Sequence, residues 1–237
     1  LSIEDKIEFL KEFNIDYIWI IPFSKEFSLL SADRFLEEYI VNCFNPKDII
    51  IGYDHHFGNK RRGGRDFLIN NSEQYNYKVY TKEAVLYNNI PISSSRIREF
   101  LNKGNITDAN ACLGRNYEFS GRVVKGEGLG KKIGFPTINI QSSMSNQLIP
   151  AHGVYCVNVK IDKKIYTGMC NIGLRPTFHQ AGEQTVEVHL LTDESIDLYD
   201  SEVYISFKSY LRDEKKYDSK DQLIEQLFED KEACFKI

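Results

Sequence analysis

From about Ala111 onward, apolar residues recur at every second position in short runs separated by glycine turns, and this texture constrains the fold more than any other feature of the chain. "NYEFSGRVVKG", "GVYCVNVKI", "KKIYTGMCNIG", "QTVEVHLL" and "SEVYISFKSYLR" each read as a strand. Together they suit a largely antiparallel sheet or a small closed barrel. The closing segment "SKDQLIEQLFEDKEACFKI" is amphipathic, with Ser219 as N-cap and Leu223, Ile224 and Leu227 facing inward. One helix is therefore expected to pack on the barrel.

The first half has a different rhythm. Ile3, Ile7, Phe9, Leu10 and Phe13 recur at helical spacing, and "IDYIWIIPF" is a compact apolar run bounded by Pro22 that reads as a buried strand. "SADRFLEEYIVNCF" opens on a Ser-Ala-Asp cap and sets Phe35, Leu36, Tyr39 and Ile40 on one face, ahead of a second buried strand in "DIIIGYD". "YKVYTKEAVLY" alternates as a strand does, "ISSS" caps the helix "RIREFLNKG", and Gly104 ends it. Such αβαβ order implies a mostly parallel, doubly wound sheet flanked by helices. A chain of 237 residues accommodates both parts as separate domains, expected at 1–111 and 112–237.

Composition narrows the function classes. No apolar run is long enough to cross a bilayer, which argues against a membrane role. A net charge of -4 argues against a nucleic-acid coat, although "KRRGGR" is a local basic cluster. The five cysteines are scattered and never form a CxxC pair, so neither a zinc site nor a disulfide framework is indicated and a reducing, cytoplasmic setting is expected. The chain opens on Leu1 inside a running helix, which reads as a fragment whose natural N-terminus is missing.

Two stretches carry chemistry. In "GEGLGKKIGFPTIN", Gly126, Gly128 and Gly130 let the main chain approach a bulky anion, with Lys125, Lys131 and Lys132 beside it. Thr137 and Asn139 are two apart, so in a strand a hydroxyl and an amide oxygen point the same way, as two hard donors to Mg²⁺ would. A metal-bound nucleotide phosphate fits the stretch, as does a glycine-rich hairpin with solvated lysines; the GxxxxGK[ST] order of a Walker loop is absent. In "QTVEVHLL", Val186, Val188 and Leu190 share one face while Glu187 and His189 share the other. Glu187 suits a base that takes a proton from an alcohol attacking phosphorus, and equally an exposed strand glutamate.

"GRVVKGEGLGKKIGFPTINI", "GVYCVNV", "NIGLRPTF", "VEVHLL" and "DLYDSEVYISFKSYLRDEKKYDSKDQLIEQLFEDKEAC" together resemble the riboflavin kinase domain from about Cys112 to Cys234. In prokaryotes that domain follows an FMN adenylyltransferase domain in bifunctional riboflavin kinase/FAD synthetases. The resemblance implies a six-stranded antiparallel barrel with a C-terminal helix, and ATP-dependent phosphorylation of the ribityl 5′-hydroxyl to give FMN. It assigns Mg²⁺ to Thr137 and Asn139 through the family's Pro-Thr-Ala-Asn motif. Ile138 here replaces the Ala, at what is expected to be an outward-alternating position. ATP phosphates are assigned to Gly126, Gly128, Gly130, Lys131, Gly134, Pro136, Thr137 and Asn139, the catalytic base to Glu187, and flavin contacts to Arg212 and Tyr199.

The first half resembles the adenylyltransferase domain over Leu1 to about Asn110, which implies a Rossmann-like fold. "GYDHHFGNKRRGG" matches its nucleotide- and flavin-binding loop through Asp54, with Arg61, Arg62 and Arg65 as candidate phosphate contacts, and "ISSSRIREF" matches a motif that brings Ser94, Ser95 and Arg98 to a triphosphate. His55 and His56 lack partners at metal-ligand spacing and are assigned no metal. The family's Gly-x-Phe-Asp-Gly-x-His-x-Gly-His loop has no counterpart in the chain, so FAD synthesis is expected to be lost or impaired and the sheet to lack its leading strand.

Two other classes compete. The barrel as a passive flavin holder is disfavoured by the Glu187 and Thr137/Asn139 set. A single-stranded RNA module using "KRRGGR" and the tyrosines predicts steep salt dependence and indifference to flavin. The expected ligands are riboflavin, FMN and ATP, with no nucleic acid and no membrane.

Overall fold

In the computed structural model the described residues are 2–126, 128, 130–144, 146–174, 184–192, 194 and 198–237. The chain divides into two units, Leu1–Pro91 and Ile92–Ile237.

The second unit is built on six strands: β5 (Tyr117–Val124), β6 (Ile138–Ser142), β7 (Gly153–Ile161), β8 (Lys164–Leu174), β9 (Gln184–Leu190) and β10 (Glu202–Arg212). They close into an antiparallel barrel in the order β10-β5-β6-β9-β8-β7. The period-two pattern explains the closure, since every strand sends one set of apolar side chains to a shared interior. Phe119, Tyr155, Val157, Ile172, Val188, Ile205 and Phe207 fill it and are fully buried. Each side chain of this kind contributes roughly 1.5–3 kcal/mol by leaving water.

Two helices precede the strands in this unit, α6 (Ser94–Asn102) and α7 (Ile106–Leu113), and their Leu101, Ile106 and Ala109 join the barrel core. Asn110 ties the pair to the strands, accepting from Tyr117 N at 2.7 Å and donating to Phe207 O at 2.9 Å. The textural change at Ala111 thus marks where the strands begin, while the compact unit begins about twenty residues earlier, because α6 and α7 bury their apolar faces on the barrel.

The final helix, α8 (Lys220–Lys236), starts where expected, with the Ser219 hydroxyl accepting from Gln222 N at 3.3 Å. It lies on the outside of the barrel. There Ile224, Leu227 and Cys234 pack with Phe135, Cys156 and Met169 in a second, smaller core.

In the first unit, α1 (Ile3–Lys11) is capped by Ser2 and Asp5. The short helix α2 (Lys25–Ser28) follows, then a helical run over 32–44 that comprises α3 (Ala32–Arg34), a π-turn at Phe35–Val41 and α4 (Asn42–Phe44). Beyond these lie β1 (Asp48–Gly52), α5 (Arg65–Tyr75), β2 (Lys78–Lys82) and a minimal hairpin of β3 (Leu86–Tyr87) and β4 (Ile90–Pro91). Leu36, Leu68 and Tyr77 form its core. β1 and β2 pair in parallel, as the alternation of elements implies, but among the described residues their sheet has two strands.

Three expectations for this unit fail. "IDYIWIIPF" is not a buried strand: the run is irregular, Tyr17 is 88% exposed and Trp19 packs on Tyr39 and Phe44 instead. An apolar run becomes a strand only with a neighbour to take its backbone hydrogen bonds, and among the described residues it has no ladder partner. β1 is buried on one face alone, with Ile49 and Ile51 inward and Ile50 64% exposed. The strand expected across "YKVYTKEAVLY" breaks after Lys82.

Candidate active site

Strand parity builds the site. Val186 and Val188 on β9 enter the barrel core, which turns Glu187 and His189 to the outer face, toward the side that α8 covers. Ile138 and Ile140 on β6 do the same, so Thr137 and Asn139 also look outward. The expectation that Ile138 points outward is corrected here: it packs against the interior, on the opposite face from Thr137 and Asn139. β6 and β9 are neighbours, with Asn139 directly opposite Glu187.

A cavity of about 290 Å³ opens on this face, lined by Thr137, Glu187, His189, Asn171, Arg212 and Glu214 among its polar residues. Phe135, Met169, Leu223, Leu227 and Tyr217 supply its apolar walls. The Thr137 hydroxyl donates to Glu187 Oε2 at 3.4 Å. His189 Nδ1 stands 2.8 Å from Pro136 O, and since a carbonyl only accepts, Nδ1 carries the proton. Burial holds the His189 pKa below its ordinary value; the bond to Pro136 opposes that shift and Lys231 adds to it.

The glycine loop reaches the same place. Gly130 lines the cavity and begins a 3₁₀ turn, Gly130–Ile133; a Cβ there would fall 2.2 Å from Phe135 O. At Gly126 a Cβ would fall 2.0 Å from Asn139 Nδ2. Gly128 and Gly134 have open surroundings but positive φ, 69° and 87°. Lys131 and Pro136 are exposed at the turn, and Glu127 and Leu129 lie outside the described residues, as do Arg175 to Phe178 of "NIGLRPTF".

Arg212, at the end of β10, enters the cavity on a fixed tether. Its Nε donates to Asp230 Oδ1 at 2.9 Å and a terminal nitrogen to Asp230 Oδ2 at 2.7 Å, with Asp230 on α8 only 4% exposed. Burial works against the guanidinium charge, but the Asp230 hydrogen bonds and charge outweigh it and the Arg212 pKa is raised. Tyr199 is not among the cavity-lining residues: it is 59% exposed, with Lys125 Nζ 5.3 Å from its ring.

Sequence reasoning did not single out Asn171, Glu214 or Asp230. Asn171 carries a readable signal, outward parity in "GMCNIG", but only the β9-β8 pairing sets it beside Glu187.

The residues drawn from the first-half motifs are placed separately. Asp54 is exposed in the turn after β1, where its carbonyl lies 2.9 Å from His56 Nδ1. Ser94, Ser95 and Arg98 belong to the second unit and are exposed near the start of α6, which Ser93 caps through Arg96 N at 3.3 Å. Among the described residues, no cluster of His, Cys, Asp and Glu suits a metal.

The riboflavin kinase family matches residues 113–237, more than half of the chain, and the FAD synthetase family matches 1–96. A bifunctional riboflavin kinase/FMN adenylyltransferase of Buchnera aphidicola subsp. Schizaphis graminum is 37% identical over 99% of this chain and 75% of its own length. The chain belongs to the bifunctional riboflavin kinase/FMN adenylyltransferase family. The Escherichia coli K12 protein of that name is 34% identical over 96% of this chain and 72% of its own length. A solved structure from Streptococcus pneumoniae described as a macrolide-efflux protein superposes with TM-score 0.89 at 32% identity, covering 99% of this chain and 74% of that one. The chain is thus an enzyme, a kinase that phosphorylates riboflavin to FMN, and it carries an FAD synthetase domain. Among the described residues, no helix is long and apolar enough to cross a membrane.

Proposed function

We propose that residues 112–237 phosphorylate riboflavin with Glu187 as catalytic base, and that residues 1–111 carry the adenylyltransferase part. The observation that carries the reading is the meeting, on one outer face of the barrel, of a carboxylate, a hydroxyl and an amide: Glu187 with Thr137 at 3.4 Å and Asn139 directly across the ladder.

Glu187 takes the proton of the ribityl 5′-hydroxyl, the oxygen attacks the γ-phosphorus, and the bond to the β-phosphate oxygen breaks with release of ADP. The β9 ladder keeps the carboxylate rigid, so the substrate hydroxyl meets an oriented acceptor. The backbone of Gly126, Gly128, Gly130 and Gly134, with Lys131 and Pro136, receives the ATP phosphates. Gly126 and Gly130 let the loop close onto Asn139 and Phe135 O, where a Cβ would collide, and this closeness of the loop to the Thr137/Asn139 pair supports the reading.

Thr137 and Asn139 are the residues that would hold Mg²⁺. Their oxygens are hard donors of the type this ion takes, and two protein ligands plus phosphates match its usual protein environment. When bound there, the ion would neutralise charge on the phosphates. Arg212 is assigned to the flavin at the cavity wall, where the Asp230 clamp supports a fixed position. Tyr199 is assigned to the flavin as well, supported by its exposed ring. Asp54, Ser94, Ser95 and Arg98 are assigned to nucleotide in the FAD synthetase part, Ser94 and Ser95 through the exposed N–H groups of a helix start.

The test is to incubate the chain with riboflavin and ATP, with and without Mg²⁺, and to separate the flavins by chromatography with fluorescence detection. FMN that forms only with the metal and with equimolar ADP is the expected result. Flavin-independent ATP hydrolysis without FMN would contradict the reading.

A further inference from the structure

Asn171 lines the cavity, yet phosphoryl transfer as described leaves it without a task. It stands on β8 directly across the ladder from Glu187, so the two side chains leave the outer face at adjacent positions, with Cβ atoms about 5 Å apart. Its Nδ2 donates to Glu214 Oε1 at 3.0 Å. That carboxylate belongs to the segment after β10 and lies flat on β8 itself: a Cβ on Gly173 would come within 2.4 Å of Glu214 Oε1. Glu214 thus occupies space left open by the missing side chain at residue 173.

A primary amide held on a strand offers both N–H donors and a carbonyl acceptor, the complement of a hydroxyl, which does both. Riboflavin's reacting 5′-hydroxyl must reach Glu187, and the ribityl chain carries further hydroxyls next to it. The nearest outward-facing amide on the β8 side of Glu187 is Asn171.

Resting on the reading of Glu187 given above, we propose that Asn171 binds the ribityl chain through a hydroxyl beside the reacting one, and that Glu214 holds the same donor until riboflavin displaces it. Asn171 thereby reads the polyol half of the substrate and neither the flavin ring nor the nucleotide. Glu214 acts as a competitor for Asn171, with its carboxylate oxygen where a ligand oxygen would go.

The experiment is a pair of fluorescence titrations on the full chain, with riboflavin and with lumiflavin, which carries a methyl group where riboflavin has the ribityl chain. Asn171→Ala is expected to weaken riboflavin binding about 3- to 10-fold, as loss of one net hydrogen bond does, and to leave lumiflavin binding as it was. Glu214→Ala is expected to tighten riboflavin. Equal weakening of both flavins by Asn171→Ala, or no weakening, overturns the proposal. So does a Glu214→Ala variant that weakens riboflavin as Asn171→Ala does, because Asn171 would then act only by holding Glu214 in place. If Asn171→Ala loses its cooperative melting transition, Asn171→Ser provides the same comparison. A wild-type chain that binds neither flavin removes the riboflavin reading itself, whereas one that binds both, with an unaltered Asn171→Ala, removes only the Asn171 assignment.

Discussion

Gly126 and Asn139 are fitted to each other: a Cβ on Gly126 would sit 2.0 Å from Asn139 Nδ2, so the glycine loop and β6 meet at the place where a side chain is missing. Asn139 is buried at 8% exposure, which leaves its amide little room to retreat. The contact makes the loop and the Thr137/Asn139 pair one mechanical unit.

Gly126→Ala should therefore displace Asn139 and raise the KM for ATP and the Mg²⁺ concentration needed for half-maximal rate, each about tenfold or more. Gly128→Ala meets no atom within 4 Å and is strained only by its φ of 69°, a cost of about 1–2 kcal/mol to the loop. Steady-state titrations of ATP and Mg²⁺ on both variants check this. A smaller effect at Gly126 than at Gly128 would contradict it.

His189 gives the second unit a defined acid sensitivity. Burial depresses its pKa below the ordinary value of 6.5, so below that pH the unfolded chain takes up a proton that the folded chain resists. Stability from this group is complete above pH 6.5 and is lost as pH falls from 6.5 toward the depressed folded value. Urea unfolding across pH 5 to 7.5 should show a shallower decline for His189→Gln than for the parent.

Asp230→Asn removes the charged partner of Arg212 on α8, while Arg212 keeps about a fifth of its side chain in water. Breaking a buried pair of this kind costs about 3 kcal/mol, at the low end of the usual span because of that residual exposure. Chemical denaturation gives the stability change. A simultaneous rise in riboflavin Kd would show that the pair also fixes Arg212 in the cavity.

Much of the geometry of the candidate site was legible because strand parity is a strong code. Val186 and Val188 against Glu187 and His189 assign faces without knowledge of the sheet, and β9 obeys them. Thr137 and Asn139 were paired by the same rule, and the inward turn of Ile138 is its corollary. Strand order is what alternation does not encode, so nothing in "GMCNIG" announced that Asn171 would face Glu187. Tyr199 was chosen as an aromatic in a turn, and alternation says nothing of where a turn sits; its ring lies beside Lys125. "IDYIWIIPF" misled for a different reason, since apolarity measures the wish to be buried and not the presence of a neighbouring strand. The change of rhythm near Ala111 marks where the barrel strands begin, whereas α6 and α7 are helical in rhythm but bury their apolar faces on the barrel and so cluster with it.

Whether Glu187 takes the ribityl proton is decided by rapid quenching of a preformed complex of Glu187→Gln with riboflavin, ATP and Mg²⁺. Riboflavin binding close to that of the parent is expected, with FMN formation slowed by about 10²–10⁴-fold in a single turnover. FMN formed at the parental rate by a variant that binds riboflavin normally would contradict it.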